Sequence, residues 1–551
     1  MSQLENALRY LRRWQSPEAQ ALADSVAKVT PGGPIPEELR ISLAGAKQRM
    51  PVSPVLDENL GMLHLILGPS QDVIFRTFEI GATPHRSALL FLDNLVKKEL
   101  IMGLLETVVV RLRSESLPSQ GEQLQRYLEQ RALTNHEVNP NTNLGKVVEA
   151  ALSGDSILLV EGMAAGLGVS TRGWEHRQPE EPLGEPVVRG PKEGFTETLA
   201  VNLALIRRRL KDERLRVERR RIGTHSGTDV VIVHIAGLAL PEVVAEVGHR
   251  LDRIQIDGIL ESGYIEELIE DNPYSPFPQV RATERPDVAA AELLSGRVAV
   301  LTDGTPHVLC MPTTFAAAMQ AAEDYYQRWP MASFLRMLRY LFLLIALLGP
   351  STYIAMTTYH HEMVPTSLLV GLMAAREGVP FPALLEALMM EFSFEALREA
   401  GVRLPKPVGQ SVSIVGALVI GEAAVRAGLV SPVMVIVVSI TAISSFVIPV
   451  FSMALAIRLL RFGMMLLAGT LGFYGLTLGL MALGIHLASL RSFGVPYLSP
   501  IMPPTAADMK DLMIRVPRWA MRRRPQEVPT GDRVRQRKRA WPHPPEKGGG
   551  A

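Results

Sequence analysis

The stretch AGLVSPVMVIVVSITAISSFVIPVFSMALAI, residues Ala427–Ile457, contains no charged side chain. At about 1.5 Å of rise per residue, a helix over this stretch is long enough to cross a hydrocarbon layer about 30 Å thick. Pro449 lies inside the stretch, where proline removes a backbone hydrogen bond and kinks a helix. The sequence therefore predicts a kinked transmembrane helix here.

The composition changes sharply around this stretch. The whole chain of 551 residues has a net charge of +1, but residues 515–551 hold eleven Lys/Arg and three Asp/Glu. Residues 1–330 are as charged as a soluble protein, whereas residues 340–490 are mostly apolar. The expected fold is an α/β soluble region of two related subdomains followed by an all-α multi-span transmembrane bundle. The expected parts are a polar segment with a linker (1–50), two α/β subdomains (51–200 and 201–330), a transmembrane domain (331–505) and a basic, disordered tail (506–551).

An internal repeat predicts the two α/β subdomains. LSGDSILLVEG begins at Leu152, and LSGRVAVLTDG begins at Leu294. Upstream, Ala88–Ile101 resembles Val231–Val244 at nearly the same offset along the chain. Each copy is expected to contain a strand that leads into a helix, and then a turn before a buried apolar strand.

The number of membrane spans stays open between four and six. Phe334–Tyr359 predicts one kinked span, and its leading Arg336 and Arg339 place the soluble half inside the cell. Pro365–Gly401 contains five glutamates and is expected to form re-entrant or interfacial helices. With four spans, however, Arg458 and Arg461 would lie outside, so the charge rule contradicts itself.

Two segments of the soluble half are rich in charge. Gly173–Phe195 is rich in Pro and Gly and predicts a loop, within which Glu181, Arg189, Gly190, Glu193 and Phe195 are candidates for an interface or signalling role. Thr196–Arg220 predicts a helix, and its arginine runs fit either a nucleic-acid patch or, as we favour, a solvated helix face broken by acids. We expect no nucleic-acid partner.

Charged residues of the apolar half are the candidates for an ion pathway. Glu422 precedes Arg426 by four residues, which suits either a functional intramembrane carboxylate or a local ion pair. Glu391, Glu395 and Glu399 share one helix face, as carboxylate rings of an oligomeric cation channel or as the wet face of an amphipathic helix. Recurring glycines permit close helix packing.

Signs of catalysis are weak in this sequence. The glycines near Gly166 are not followed by Lys-Ser/Thr, and His360-His361-Glu362 lacks the spacing of a zinc helix. The one cysteine, Cys310, excludes an intrachain disulfide, and the first residues lack the apolar core of a secretory signal. We expect no enzyme activity, cofactor or metal, and a cytoplasmic soluble region.

Several motifs together resemble the spore germinant receptor A-subunit family, the GerA type. They are Glu180–Leu210, Asp257–Asp271, Ser275–Asp287, GRVAVLTDGTPHVL, EDYYQRW, Arg398–Pro432 and FGVPYLSP. The resemblance covers residues 50–505 and implies an integral protein of the spore inner membrane with a cytoplasmic N-terminal domain. It also implies B and C subunits as partners, and a homo-oligomer that forms a nutrient-gated channel for monovalent cations in contact with membrane lipids.

Three hypotheses follow from this resemblance and from the residues. The favoured one is a germinant-receptor subunit that forms or gates an ion channel, with Ser444 and Ser445 on a helix that lines or supports the pore. The second is an accessory paralogue that amplifies ion release without a nutrient of its own. The third, a secondary transporter, predicts inverted repeats among the spans, whereas the repeat lies in the soluble half.

Overall fold

The chain forms an α/β unit and a helical unit. A computed structural model describes residues 3–14, 16–29, 35–115, 117–118, 121–132, 137–173, 181–182, 184–403, 421–505, 508–525 and 530–536. The α/β unit comprises residues 1–270, 280–312 and 523–534, and the helical unit comprises residues 271–279, 313–522 and 535–551. The predicted fold class, an α/β region followed by a helical region, is confirmed.

The α/β unit is built from eleven described α-helices and ten described strands, with short 3₁₀ and π turns between some of them. They are α1 (Gln3–Arg13), α2 (Pro17–Ala27), α3 (Glu37–Ala46), α4 (Leu56–Leu67), β1 (Val73–Ile80), β2 (His85–Leu92), α5 (Lys98–Leu105), α6 (Gly121–Tyr127), β3 (Val138–Asn141), α7 (Leu144–Leu152), β4 (Asp155–Val160), β5 (Gly166–Ser170), α8 (Leu199–Arg209), β6 (Leu215–Ile222), β7 (Thr228–Ile235), α9 (Pro241–Asp252), α10 (Ser262–Ile269), β8 (Arg281–Thr283), α11 (Pro286–Leu294), β9 (Val298–Thr302) and β10 (Val308–Met311).

The two five-stranded sheets have the same topology. One has the order β1-β2-β4-β5-β3 and the other β6-β7-β9-β10-β8, and the pairs within them are antiparallel. Equivalent elements begin at nearly one offset along the chain: β1 and β6 at 73 and 215, β2 and β7 at 85 and 228, α7 and α11 at 144 and 286. The glycines of the two LSG motifs, Gly154 and Gly296, both have left-handed backbones (φ 95° and 93°). The predicted duplication is thus confirmed.

Polar details repeat as well. Asn59 on α4 and Asn202 on α8 occupy equivalent positions in the two copies, and both are buried. Each side chain accepts a 2.8 Å hydrogen bond from, and donates a 2.6 Å bond to, the backbone of the residue six positions earlier. These bonds satisfy the buried side-chain amides and fix the backbone three residues before each helix begins.

The first fifty residues contain three helices that contribute to the core of the first sheet subdomain. The sequence predicts a polar segment and a linker here. Ala7, Tyr10 and Leu11 of α1 are buried together with residues of α4 and α7, and residues 30–34 of the predicted linker lie outside the described residues. At Gly61 of α4, a Cβ would lie only 2.9 Å from the backbone of α1, so this glycine permits the close packing of the two helices.

The helix predicted over Thr196–Arg220 is wrong beyond Arg209. The chain turns after α8 and continues as strand β6, so the second arginine run lies on a strand. Arg207 does not belong to a solvated face: it is 2% exposed and pairs with Asp72, 2.8 Å from Nε to Oδ2. Burial raises the pKa of Asp72, but Arg207 and Ser70 outweigh it and hold that pKa below its usual value.

The helical unit contains α12 (Phe315–Ala318), α13 (Trp329–Thr358), α14 (Thr366–Arg376), α15 (Ala383–Arg403), α16 (Pro432–Phe446), α17 (Phe451–Ser489) and a helical segment at residues 421–426. The sequence predicts a helix over Thr313–Trp329, but α12 ends at Ala318 and the chain continues through a 3₁₀ turn at Ala322–Tyr325. Among the described residues, α13 and α17 are long and apolar enough to cross a membrane.

The stretch Ala427–Ile457 is not one helix. α16 ends at Phe446 and α17 begins at Phe451, with Pro449 in the interruption. Because proline cannot donate the next helical hydrogen bond, the chain breaks here rather than kinks. The prediction of a single continuous span is therefore wrong.

The helix α17 folds back on itself at Gly472. Its backbone there is non-helical (φ 61°, ψ −141°), and a Cβ placed on Gly479 would lie 2.6 Å from Sδ of Met464. Fifteen residues of straight helix would separate these positions by about 22 Å. Residues 451–471 and 473–489 are therefore two antiparallel arms.

The C-terminal residues that the structure describes make defined contacts, which differs from the disordered tail that the sequence predicts. In the helical unit, Arg336 on α13 pairs with Asp511. In the α/β unit, Thr530 forms a β-bridge with Ala239, and Arg523 forms another with Val534. Residues 537–551 lie outside the described residues.

Candidate functional site: charged side chains inside the helical unit

Five charged residues gather where α15 lies against the first arm of α17. We name them the Arg461 cluster: Glu391, Glu395, Arg398, Arg458 and Arg461. Leu384, Glu391 and Glu395 of α15 face Gly469, Arg461 and Arg458 in turn, so the two helices run antiparallel. Helical spacing on each side places the charges on the facing surfaces.

The cluster is largely buried. Arg461 is 1% exposed, and its Nη1 lies 3.2 Å from Oε1 of Glu391. Arg398 binds Glu395 with Nη1 at 2.8 and 3.1 Å from the two carboxylate oxygens. Arg458 and Arg461 each lie 3.7 Å from Glu395. Charges removed from water in this way are costly unless they are paired.

The Arg461 cluster has more positive than negative groups. Three guanidinium groups face two carboxylates, which leaves a formal charge of +1. Nε of Arg461 and Nε of Arg398 are buried without a hydrogen-bond partner among the described residues, whereas Nη1 of Arg461 faces Oε1 of Glu391 without the alignment of a hydrogen bond. The segment 404–420, LPKPVGQSVSIVGALVI, carries a lysine and no acid, so it supplies no compensating carboxylate.

A second buried group lies at the beginning of α13. We name it the Asp324 cluster: Asp324, Arg336, Arg339 and Asp511. Arg339 binds both oxygens of Asp324 at 2.9 and 3.1 Å. Arg336 joins Asp324 (3.1 Å) to Asp511 (2.9 Å). Two acids pair with these two bases at short distances, and the cluster ties the C-terminal segment to α13. Nη2 of Arg336 is buried without a hydrogen-bond partner among the described residues, and the buried Arg515 lies close enough to interact electrostatically with Asp511.

The chain enters and leaves the helical bundle at the same end. The N–H of Phe315, before α13, donates to the carbonyl of Tyr497, after α17, at 2.8 Å. At the other end, Tyr359 donates its hydroxyl to the carbonyl oxygens of Gly469 and Thr470 beside the Gly472 bend.

The other predicted pathway residues are separate from the cluster. Glu422 pairs with Arg426, and Glu399 with Arg403, and all four side chains are more than half exposed. Ser444 and Ser445 are buried, and each donates its hydroxyl to a carbonyl of its own helix at 2.7 Å. In the described chain these residues therefore make local contacts.

The predicted signalling loop is anchored at its C-terminal part. Glu193 binds Arg208 (3.0 Å) and Arg209 (2.8 Å) of α8, and Phe195 is buried in the core of the second sheet subdomain. Glu181 pairs with Lys192 at 3.3 Å. Arg189 and Gly190 are exposed between these anchors.

The outer surface of the helical unit is strongly apolar. Large side chains at helical spacing are exposed on α16 and on the first arm of α17: Ile436, Ile440, Ile443, Phe446, Phe451, Leu455 and Leu459. Such a surface is rare on soluble monomers and is typical of contact with lipid or another protein. The unit thus buries the Arg461 cluster between its helices and exposes apolar groups on α16 and the first arm of α17.

Sequence reasoning misses the role of three arginines. From the sequence, Arg458 and Arg461 are only conflicting markers of orientation, and Arg398 has no role. Buried pairing removes Arg458 and Arg461 from the free charges to which the orientation rule applies. Their positions three residues apart on an apolar helix are a signal of a buried polar face.

The described residues hold no group of three His, Cys, Asp or Glu side chains placed to bind a metal ion. Cys310 is fully buried on β10, and burial raises the pKa of its thiol. A protonated, inaccessible thiol is a poor nucleophile.

Known proteins resemble this chain over most of its length. A family model described as Bacillus/Clostridium GerA spore germination protein matches residues 61–527. The uncharacterized membrane protein YfkQ of Bacillus subtilis (strain 168) is 46% identical over 90% of this chain and 95% of its own length. Spore germination protein KA of the same organism is 45% identical over 90% of each chain. The crystal structure of the N-terminal domain of the A subunit of the Bacillus megaterium spore germinant receptor GerK3 is 34% identical, with a TM-score of 0.39, and covers 48% of this chain and 97% of that one.

Proposed function

We propose, from the premise that this chain belongs to the GerA family of spore germination proteins, that it is an integral membrane subunit of a spore germinant receptor. In this role it forms or gates an oligomeric ion channel when nutrient is sensed. The observation that carries the proposal is the inverted polarity of the helical unit. Its exposed faces are apolar, while arginines and glutamates are buried between its helices.

The membrane in question is the spore inner membrane, with the α/β unit on its cytoplasmic side. Because the chain enters and leaves the bundle at one end, an even number of crossings fits best, which favours four or six over five. The two arms of α17 supply two of these crossings. The C-terminal segment then lies on the same side as the residues that precede α13.

The partners are receptor B and C subunits and further copies of this chain. Exposed carboxylates such as Glu399 and Glu422 would line a pathway only where a second copy covers them. Glu391 and Glu395 already lie inside the bundle, where carboxylates attract monovalent cations and select them over anions. The role is that of a receptor and needs no enzymatic step.

A second candidate function is that of an accessory family member, a spore-membrane channel that amplifies ion release without its own nutrient. It is favoured by one observation: a 46% identical relative carries only the name of a membrane protein. Neighbouring genes for B and C subunits would support the receptor, and their absence would support the accessory role.

The test is purification of the full chain in detergent, mass determination of the assembled particle, and conductance in a planar bilayer. We expect a particle of several copies that conducts monovalent ions. A monodisperse, folded monomer that produces no current above the empty bilayer would refute the channel.

A further inference from the structure

The Arg461 cluster contains one more cation than it contains anions, and this surplus is buried. Its three guanidinium groups share two carboxylates in the described chain, and residues 404–420 contain no acid that could add a third. An unpaired charge in an apolar bundle is strongly unfavourable, so that a counter-charge is needed in the native state.

The buried nitrogen atoms show where the counter-charge would bind. Nε of Arg461, which is 1% exposed, and Nε of Arg398 donate no hydrogen bond to a described residue. Guanidinium N–H groups bind anions through several directed, charge-assisted bonds. Arg398 and Glu395 are partly exposed and form the open edge of the cluster.

We propose that the Arg461 cluster is a binding site for a small monovalent anion of chloride type. The anion accepts hydrogen bonds from Arg461 and Arg398 and brings the formal charge of the cluster to zero. The site lies between α15 and the first arm of α17, so its occupancy stabilises the contact between these helices. Anion binding at this site requires only the folded chain and does not depend on ion conduction.

The test uses the purified full chain in detergent, with sodium chloride replacing sodium gluconate at constant ionic strength. Chloride binding is read directly from the broadening of the ³⁵Cl nuclear resonance and independently from the thermal unfolding midpoint. For the wild type we expect saturable excess broadening, together with a midpoint that rises with chloride.

The decisive variant is Arg398→Gln, which leaves two bases opposite two acids. We expect it to lose the chloride-dependent broadening and the midpoint shift. The matched control is Arg426→Gln, which removes an arginine from an exposed helical ion pair and should keep both. The proposal would be overturned if chloride changed the broadening and the midpoint equally in wild type and Arg398→Gln. It would also be overturned if chloride affected the wild type no more than gluconate does.

A third variant covers the case in which Arg398→Gln does not fold. Glu391→Gln raises the surplus to two charges and should lower the half-saturating chloride concentration about tenfold or more. An unchanged concentration would overturn the proposal. A further outcome would also overturn it. If the wild type shows no chloride response and the Arg398→Gln oligomer dissociates, the counter-charge is a carboxylate of another copy.

Discussion

The Asp324 cluster and the Arg461 cluster both hold buried arginines in the helical unit, but they differ in charge balance. In the Asp324 cluster, Arg336 and Arg339 face two aspartates at 2.9 to 3.1 Å. In the Arg461 cluster, three arginines share two glutamates, with several separations of 3.2 to 3.7 Å. Balance and short contacts are typical of an anchor, whereas surplus charge and loose contacts suit a site with a missing ligand.

This difference has a consequence for how mutations act. Removing a charge from a balanced buried cluster leaves its partner unpaired, which is strongly destabilising. In chloride-free buffer, removing an arginine from the Arg461 cluster instead reduces its surplus of positive charge. Without chloride, the two clusters should therefore respond differently to the loss of an arginine.

The largest effect is expected for Asp324→Asn in the Asp324 cluster. Arg336 and Arg339 would remain buried opposite one acid, so the free energy of unfolding should fall by about 3–5 kcal/mol. Chemical unfolding in mixed micelles would measure this loss. Arg398→Gln is the comparison variant in the Arg461 cluster. A similar fall in its free energy of unfolding would show that the two clusters do not differ in this way.

A group of three glutamates in the α/β unit provides a comparison in which stability depends on pH. Burial, with Glu270 and Glu261 nearby, raises the pKa of Glu266 on α10 from 4.5 to about 7. Because the folded pKa is the higher one, the folded state keeps this proton longer, and stability is lost as pH rises from 4.5 through 7. Glu266→Gln should therefore raise the free energy of unfolding by about 1–2 kcal/mol at pH 8, after discounting for solvent screening.

The gain from Glu266→Gln should disappear at pH 4.5, where the carboxyl is largely protonated in the folded state. Unfolding curves of wild type and variant at both pH values would show this. A gain that is equal at pH 4.5 and pH 8 would contradict the assigned cause, because it could not come from titration.

The smallest effect on stability is expected for Glu422→Gln. The ion pair with Arg426 is exposed on one helical turn, so its loss should change the free energy of unfolding by less than about 0.5 kcal/mol. If a second copy covers Glu422 on an ion pathway, cation release from spores should nevertheless fall. Normal release at normal protein level would remove Glu422 from that pathway.

Local patterns in the sequence predict much of the fold. The two LSG motifs and two apolar strands at one offset are enough to predict the duplicated sheet subdomains, because turns and buried strands have strong local signals. The bend at Gly472 is missed, since a glycine in an apolar run looks the same in a straight helix. The burial of Arg207 depends on Asp72, which is far away in the sequence, and no local pattern shows this pairing.

The candidate site is predicted only in part. Spacing places Glu391 and Glu395 on one face of a helix, as the structure has them. Arg398, which binds Glu395, lies on the same helix, but Arg458 and Arg461 lie on α17, more than sixty residues later. These two pair with the glutamates only because the two helices pack antiparallel. The predicted domain limits and pathway roles remain predictions.

The most direct test of ion passage through this helical unit is the reversal potential of the purified chain in a planar bilayer under a potassium chloride gradient. The wild type should carry a current, and Arg398→Gln should shift its reversal potential toward that of potassium, because the anion-attracting surplus is gone. No current from the folded wild-type oligomer, or identical reversal potentials for the two proteins, would contradict a pathway governed by the Arg461 cluster.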